Sequence, residues 1–114
     1  MSPYIFLWIG VAVIAAAFCY SKRSDLGSAK ARELVAGGAA LVDVRSPAEF
    51  ATGHIDGACN IPLGELARRA GELGLTGRPV IVYCASGTRS ALAQRALASA
   101  GFAHVYNLGA MRNW

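Results

Sequence analysis

"VIVYCASGTRSA", Val80 to Ala91, passes from four apolar residues into a cysteine, then through small polar residues to an arginine and the start of a helical pattern. The segment "RPVIVYC" reads as a strand buried on both faces, and so as the central strand of a sheet. Beyond it, Ala91, Leu92, Ala96 and Leu97 recur at helical spacing and Gly101 closes the run, which predicts a helix over 88–100. Cys84 therefore lies at a strand-to-helix turn, where ligands of open α/β sheets bind, beyond the carboxyl ends of the strands.

Working outward from that turn, strands and helices alternate. "SAKARELVAGG" predicts a helix with Ser28 as its N-cap, Leu34 and Val35 on the inner face, and Gly37 or Gly38 at its end. "ALVDVR", Ala40 to Arg45, is a short β-branched strand. In "SPAEF", Ser46 is placed as N-cap with Pro47 at the first helical position and Glu49 at the third, and Gly53 stops this short helix. "ACNIP" is a second strand ended by Pro62, "LGELARRAGELG" a helix, and "HVYNL" a last strand. The alternation predicts an α/β fold, a mostly parallel central sheet with helices on both faces and right-handed crossovers.

Charge is unevenly distributed. All eleven basic and seven acidic residues of the 114 lie from Lys22 onward, and the net charge of +4 falls to +2 once Lys22 and Arg23 are set aside. Basic residues are scattered, without aromatic interleaving, which speaks against nucleic acid as a partner. Three cysteines, Cys19, Cys59 and Cys84, without CxxC spacing or a histidine cluster, argue against a disulfide framework and a metal site.

The head, "YIFLWIGVAVIAAAFCY" (Tyr4 to Tyr20), is an uncharged run at the short end of what spans a bilayer as a helix. Tyr4, Trp8 and Tyr20 sit near its ends, and the positive charges follow it rather than precede it, unlike a cleaved signal peptide. The expectation is one transmembrane helix, with residues 1–23 as anchor and basic flank and 24–114 as a single domain. The flanking charges place that domain on the cytoplasmic side of an inner membrane as a single-pass protein. The alternative is export after signal cleavage.

The turn itself is suited to a reactive thiol. Ala85, Ser86, Gly87 and Thr88 are small, so the backbone can curl and turn its N–H groups inward as an anion-binding nest. The helix N-terminus that follows adds favourable dipoles, and Arg89 adds a cation. Such surroundings lower a cysteine pKa from its free value of about 8.5 and enrich the thiolate. Neither His54 nor His104 is needed as a base.

"LVDVRSPAEFATGHIDGACNIPL", "VIVYCASGTRSALAQRAL" and "GFAHVYNLGAMRNW" together resemble the single-domain rhodanese family of sulfurtransferases, over about Leu41 to Trp114. The resemblance implies Cys84 as the catalytic nucleophile, forming a persulfide from a donor such as thiosulfate and passing sulfur to cyanide, a thiol or a protein acceptor, with no metal or organic cofactor. It implies an active-site loop of Ala85, Ser86, Gly87, Thr88, Arg89 and Ser90. Related phosphatases and arsenate reductases carry C-x5-R, a wider cradle for a tetrahedral oxyanion, whereas Cys84 to Arg89 is C-x4-R, a better fit for a sulfur atom. Asp43 and Arg45 fall near the loop in the family pattern, as an ion pair fixing the next helix or as part of the pocket. Glu49 and His54 match a structural "E-F-x-x-G-H-I" element, Cys59 is expected in the core, and Gly109-Ala110 replaces the usual paired glycine. A sulfur-carrier or non-catalytic docking module at the membrane is the competing function.

Overall fold

The computed structural model describes residues 25–114, and the expected anchor, Tyr4 to Tyr20, lies outside the described residues. Among those described, no helix is long and apolar enough to cross a membrane.

Among the described residues, four strands, β1 (Ala40–Asp43), β2 (Cys59–Asn60), β3 (Val80–Cys84) and β4 (Val105–Ala110), form one sheet in the order β2-β1-β3-β4. Every pairing is parallel. β3 is buried along its whole length, because an interior strand of a parallel sheet is covered on both faces. Its side chains divide by the period of two: Val80, Val82 and Cys84 join one core cluster, Ile81 and Tyr83 the other. The first cluster is closed by α3 (Leu66–Arg69) and α4 (Thr88–Ser99) through Leu66, Ala93 and Leu97. The second is closed by α1 (Ser28–Ala36) through Ala31, and by Ile55 from the segment after α2 (Pro47–Ala51).

Several boundaries differ from the expectation for physical reasons. Gly27, not Ser28, is the N-cap of α1, since the Ser28 hydroxyl donates to the Trp114 carbonyl at 2.9 Å. β1 ends at Asp43 rather than Arg45, because the Asp43 carboxylate accepts from the Arg45 backbone N–H at 2.9 Å and turns the chain off the ladder. The helix expected over 63–74 is one turn of α-helix between two 3-10 turns, Leu63–Glu65 and Ala70–Leu73. Gly64 and Gly71 within it lower the helical propensity. β4 runs on to Ala110 through a register shift at Val82/Tyr83, where Asn107 Oδ1 accepts from Gly109 N–H and Gly109 adopts φ 84°. The helix of "SPAEF" forms as read, with a complete capping box between Ser46 and Glu49.

The carboxyl end of β1 fixes α2 in place. Arg45 and Asp43, both buried, meet in a fork in which Arg45 Nε lies 3.0 Å and Nη2 2.8 Å from the two carboxylate oxygens. Nη2 also donates to the Gly53 carbonyl at 2.7 Å, just past the end of α2. On the same face, the Tyr83 hydroxyl accepts from the Ile55 N–H at 3.1 Å. Burial, the main cause, pushes the Tyr83 pKa up to about 12, with neighbouring Asp43 adding to it and the Ile55 bond opposing. Asp43→Ala leaves a buried guanidinium uncompensated and is expected to cost about 3–5 kcal/mol of stability. Urea unfolding followed by circular dichroism checks this; a loss under about 1 kcal/mol would mean that the pair is dispensable.

Candidate active site

Cys84 is the last residue of β3, fully buried, with its side chain on the face covered by α4. Only Ala85, Ser86 and Gly87 separate it from α4; Thr88 and Arg89 already belong to the helix. Gly87 is the N-cap in a left-handed conformation, φ 100°, which glycine takes at no steric cost, and no side chain caps the helix from there.

The sulfur occupies that vacant capping position. The Gly87 N–H donates to Cys84 Sγ at 3.0 Å and the Ser90 N–H at 3.4 Å. Ser90 is the third helical residue, whose N–H an ordinary N-cap side chain would satisfy. The Cys84 thiol in turn lies 3.5 Å from Ser90 Oγ, which donates to the Gly87 carbonyl at 3.0 Å. Burial, the largest single influence, favours the neutral thiol. The hydrogen bonds from Ser90, Gly87 and the Ser86 backbone outweigh it together, and the Cys84 pKa is lowered.

Arg89 does not face the sulfur as a free cation. Its Nη1 and Nη2 lie 2.6 Å and 2.9 Å from the two carboxylate oxygens of Glu49 on α2. This guanidinium first, and the Ser46 backbone N–H second, hold the Glu49 pKa down at about 2. Its charge still acts on Cys84 at longer range, but the close anion partners of the loop are backbone N–H groups and the Ser90 hydroxyl.

The structure thus brings Gly87, Ser90 and the Ser86 backbone to Cys84, while Arg89, on the same loop, is held by Glu49. Ala85, Ser86 and Thr88 are exposed on the loop's outer side. Asp43 and Arg45 are buried and bonded to each other and to backbone. His54 is exposed, stacked on Phe50 with ring centroids 3.6 Å apart. Cys59, expected in the core, is exposed on edge strand β2. It pairs with Val42, which pairs with Val82, two residues short of Cys84. Two strand spacings and two residue rises put the Cys59 and Cys84 Cα atoms roughly 12 Å apart, well beyond the disulfide limit of about 7 Å. The partnership of Glu49 with Arg89 and the anchoring by Tyr83 were not read from the sequence. A glutamate at the third helical position signals a capping box, and nothing local ties it to an arginine forty residues on.

A family model of the rhodanese-like domain matches residues 28–114. The chain belongs to the rhodanese-like family. The match takes in α1 as well, which the resemblance from about Leu41 onward did not include. Among relatives, YqhL of Bacillus subtilis, an uncharacterized protein, is 46% identical over 77 residues, 67% of this chain and 60% of YqhL. The chain therefore spans about three fifths of that relative's length. The thiosulfate sulfurtransferase GlpE of Ectopseudomonas mendocina is 38% identical over 86 residues, 75% of this chain and 78% of GlpE. The solved structure of the human single-domain sulfurtransferase TSTD1 superposes with a TM-score of 0.70 at 31% identity, covering 81% of this chain and 95% of that one.

The Ser90 hydroxyl has one proton, now given to the Gly87 carbonyl, and on ionisation of the thiol that proton can turn to the sulfur. Ser90→Ala is expected to raise the Cys84 pKa and slow iodoacetamide alkylation at neutral pH about tenfold, a charged hydrogen bond being worth roughly 1.5–3 kcal/mol. The pH profile of alkylation checks this; superimposable profiles would remove Ser90 from the site.

Proposed function

We propose that the protein is a sulfurtransferase working through a persulfide on Cys84. The observation that carries this reading is the pair of N–H groups, from Gly87 and Ser90, aimed at Cys84 Sγ in a chain of the rhodanese-like family. As thiolate, Cys84 attacks the outer sulfur of a donor such as thiosulfate. A new sulfur–sulfur bond forms, the donor's own sulfur–sulfur bond breaks, and its electron pair leaves with sulfite. Cyanide or a thiolate then attacks the outer sulfur of the Cys84 persulfide, and the Cys84 thiolate departs with the bond's electron pair. Both displacements balance without an added oxidant or reductant. The N–H groups and the Ser90 hydroxyl that hold the thiolate are also placed to hold the persulfide anion, so one cradle serves both states.

The short Cys84–Arg89 spacing supports sulfur over phosphate, because Thr88 and Arg89 are taken up into α4 and only three residues form the turn. The uncharged run Tyr4 to Tyr20 supports an N-terminal membrane anchor with the domain on the cytoplasmic side.

Mass spectrometry of the full chain, purified in detergent from the membrane fraction, tests both parts of the reading. Incubation with excess thiosulfate is expected to add one sulfur to Cys84, cyanide to remove it as thiocyanate, and Cys84→Ser to accept none. Sulfur loading on Cys84→Ser would end the mechanism, and recovery of the chain in the soluble fraction would end the anchor.

A further inference from the structure

Arg89 is the only charged side chain of the loop from Cys84 to Ser90, and it sits on the second residue of the helix whose N-terminus faces the sulfur. Both of its terminal nitrogens are held by Glu49, and the two side chains are equally open to solvent, 37% each. The pair therefore stands at the surface beside the loop. Glu49 is not a mobile surface carboxylate. Its Oε1 accepts from the Ser46 N–H at 3.1 Å in the capping box of α2, and the end of α2 is tied through the Gly53 carbonyl to buried Arg45. The carboxylate is fixed before Arg89 meets it, so the pairing costs little ordering of Glu49 and is more persistent than an ordinary exposed ion pair.

An anion approaching Cys84 thus meets inward N–H dipoles, neutral Ala85, Ser86 and Thr88, and a guanidinium already neutralised by a carboxylate. The attraction that a free Arg89 would supply grows with the charge of the anion. Its loss therefore penalises a dianion more than an anion of single charge.

Resting on the sulfurtransferase reading, we infer that Glu49 sets the charge class of the sulfur donor: by occupying Arg89 it disfavours dianionic thiosulfate relative to singly charged persulfides. Glu49 acts here through Arg89, as a specificity-determining residue that does not touch the donor.

Glu49→Gln tests this with little disturbance, because an amide oxygen can still accept from Ser46 N–H and preserve the capping box. Sulfate binding, followed by thermal shift, reports affinity for a dianion without any chemistry. Loading of Cys84 from thiosulfate and from cysteine persulfide reports donor preference: in each case the Cys84 thiolate bonds to the donor's outer sulfur, the donor's sulfur–sulfur bond breaks, and its electron pair leaves with sulfite or with the cysteine thiolate. In Glu49→Gln, sulfate affinity and the second-order loading rate from thiosulfate are each expected to rise about tenfold, the worth of one added charge-assisted contact. The rate from cysteine persulfide changes much less. The gain is expected to vanish in Glu49→Gln/Arg89→Gln and to shrink at high salt. Unchanged sulfate affinity and donor preference in a Glu49→Gln protein of unaltered melting temperature would overturn the inference, as would equal losses with both donors. If the wild-type chain loads from neither donor while sulfate binding follows the expected pattern, the sulfurtransferase reading fails and the control of anion charge by Glu49 stands.

Discussion

The sulfur of Cys84 completes the helix that follows it. α4 begins at a left-handed glycine with no capping side chain, and the acceptor that its first turn needs is supplied from the end of β3. Cysteine is a weak acceptor as a thiol and a strong one as a thiolate, so the unpaired N–H groups of a helix start favour the ionised form. Burial acts in the opposite sense, and the hydrogen bonds prevail. Structural and chemical demands on Cys84 coincide: what caps the helix also prepares a nucleophile. Small residues at 85–87 make this possible, because the strand end and the helix start must approach within three residues.

The rest of the fold holds that geometry in place. Adjacent residues of β3 point to opposite faces, so Cys84 faces α4 while Tyr83 reaches the Ile55 backbone on the other side. Tyr83, with the buried Asp43–Arg45 fork, ties down the segment around Gly53 and Ile55. That segment carries α2, α2 carries Glu49, and Glu49 grips Arg89 at the start of α4. The active-site loop is thus held from both its ends, by the sheet through β3 and by a polar chain running around the sheet edge. Both interior strands, β1 and β3, contribute their carboxyl ends to this arrangement, in keeping with where parallel sheets concentrate function.

Much of this was legible in residue order. The apolar run of β3, the capping box of α2 and the span of α4 follow from local periodicity and helix-start chemistry, which depend only on near neighbours. The parallel sheet follows from strands that alternate with helices. Less legible was whatever depended on distant partners. Ser28 reads as an N-cap until Trp114 claims its hydroxyl, and Arg89 reads as a free cation until Glu49 is seen against it. Cys59, in a predicted strand, is expected in the core, yet it belongs to an edge strand of only two residues and is exposed. The helix over 63–74 broke because its apolar spacing was sound while its glycines were not.

The backbone of the loop carries the charge of Cys84. Nitrogen-15 NMR of the full chain in detergent, recorded across a pH titration, observes this directly. The Gly87 and Ser90 amide signals are expected to move more than those of the other residues of α4. They should share one midpoint, below the free-cysteine value of about 8.5, and stay still in Cys84→Ser. Amides that do not respond to ionisation of Cys84, or a midpoint above that of free cysteine, would contradict it.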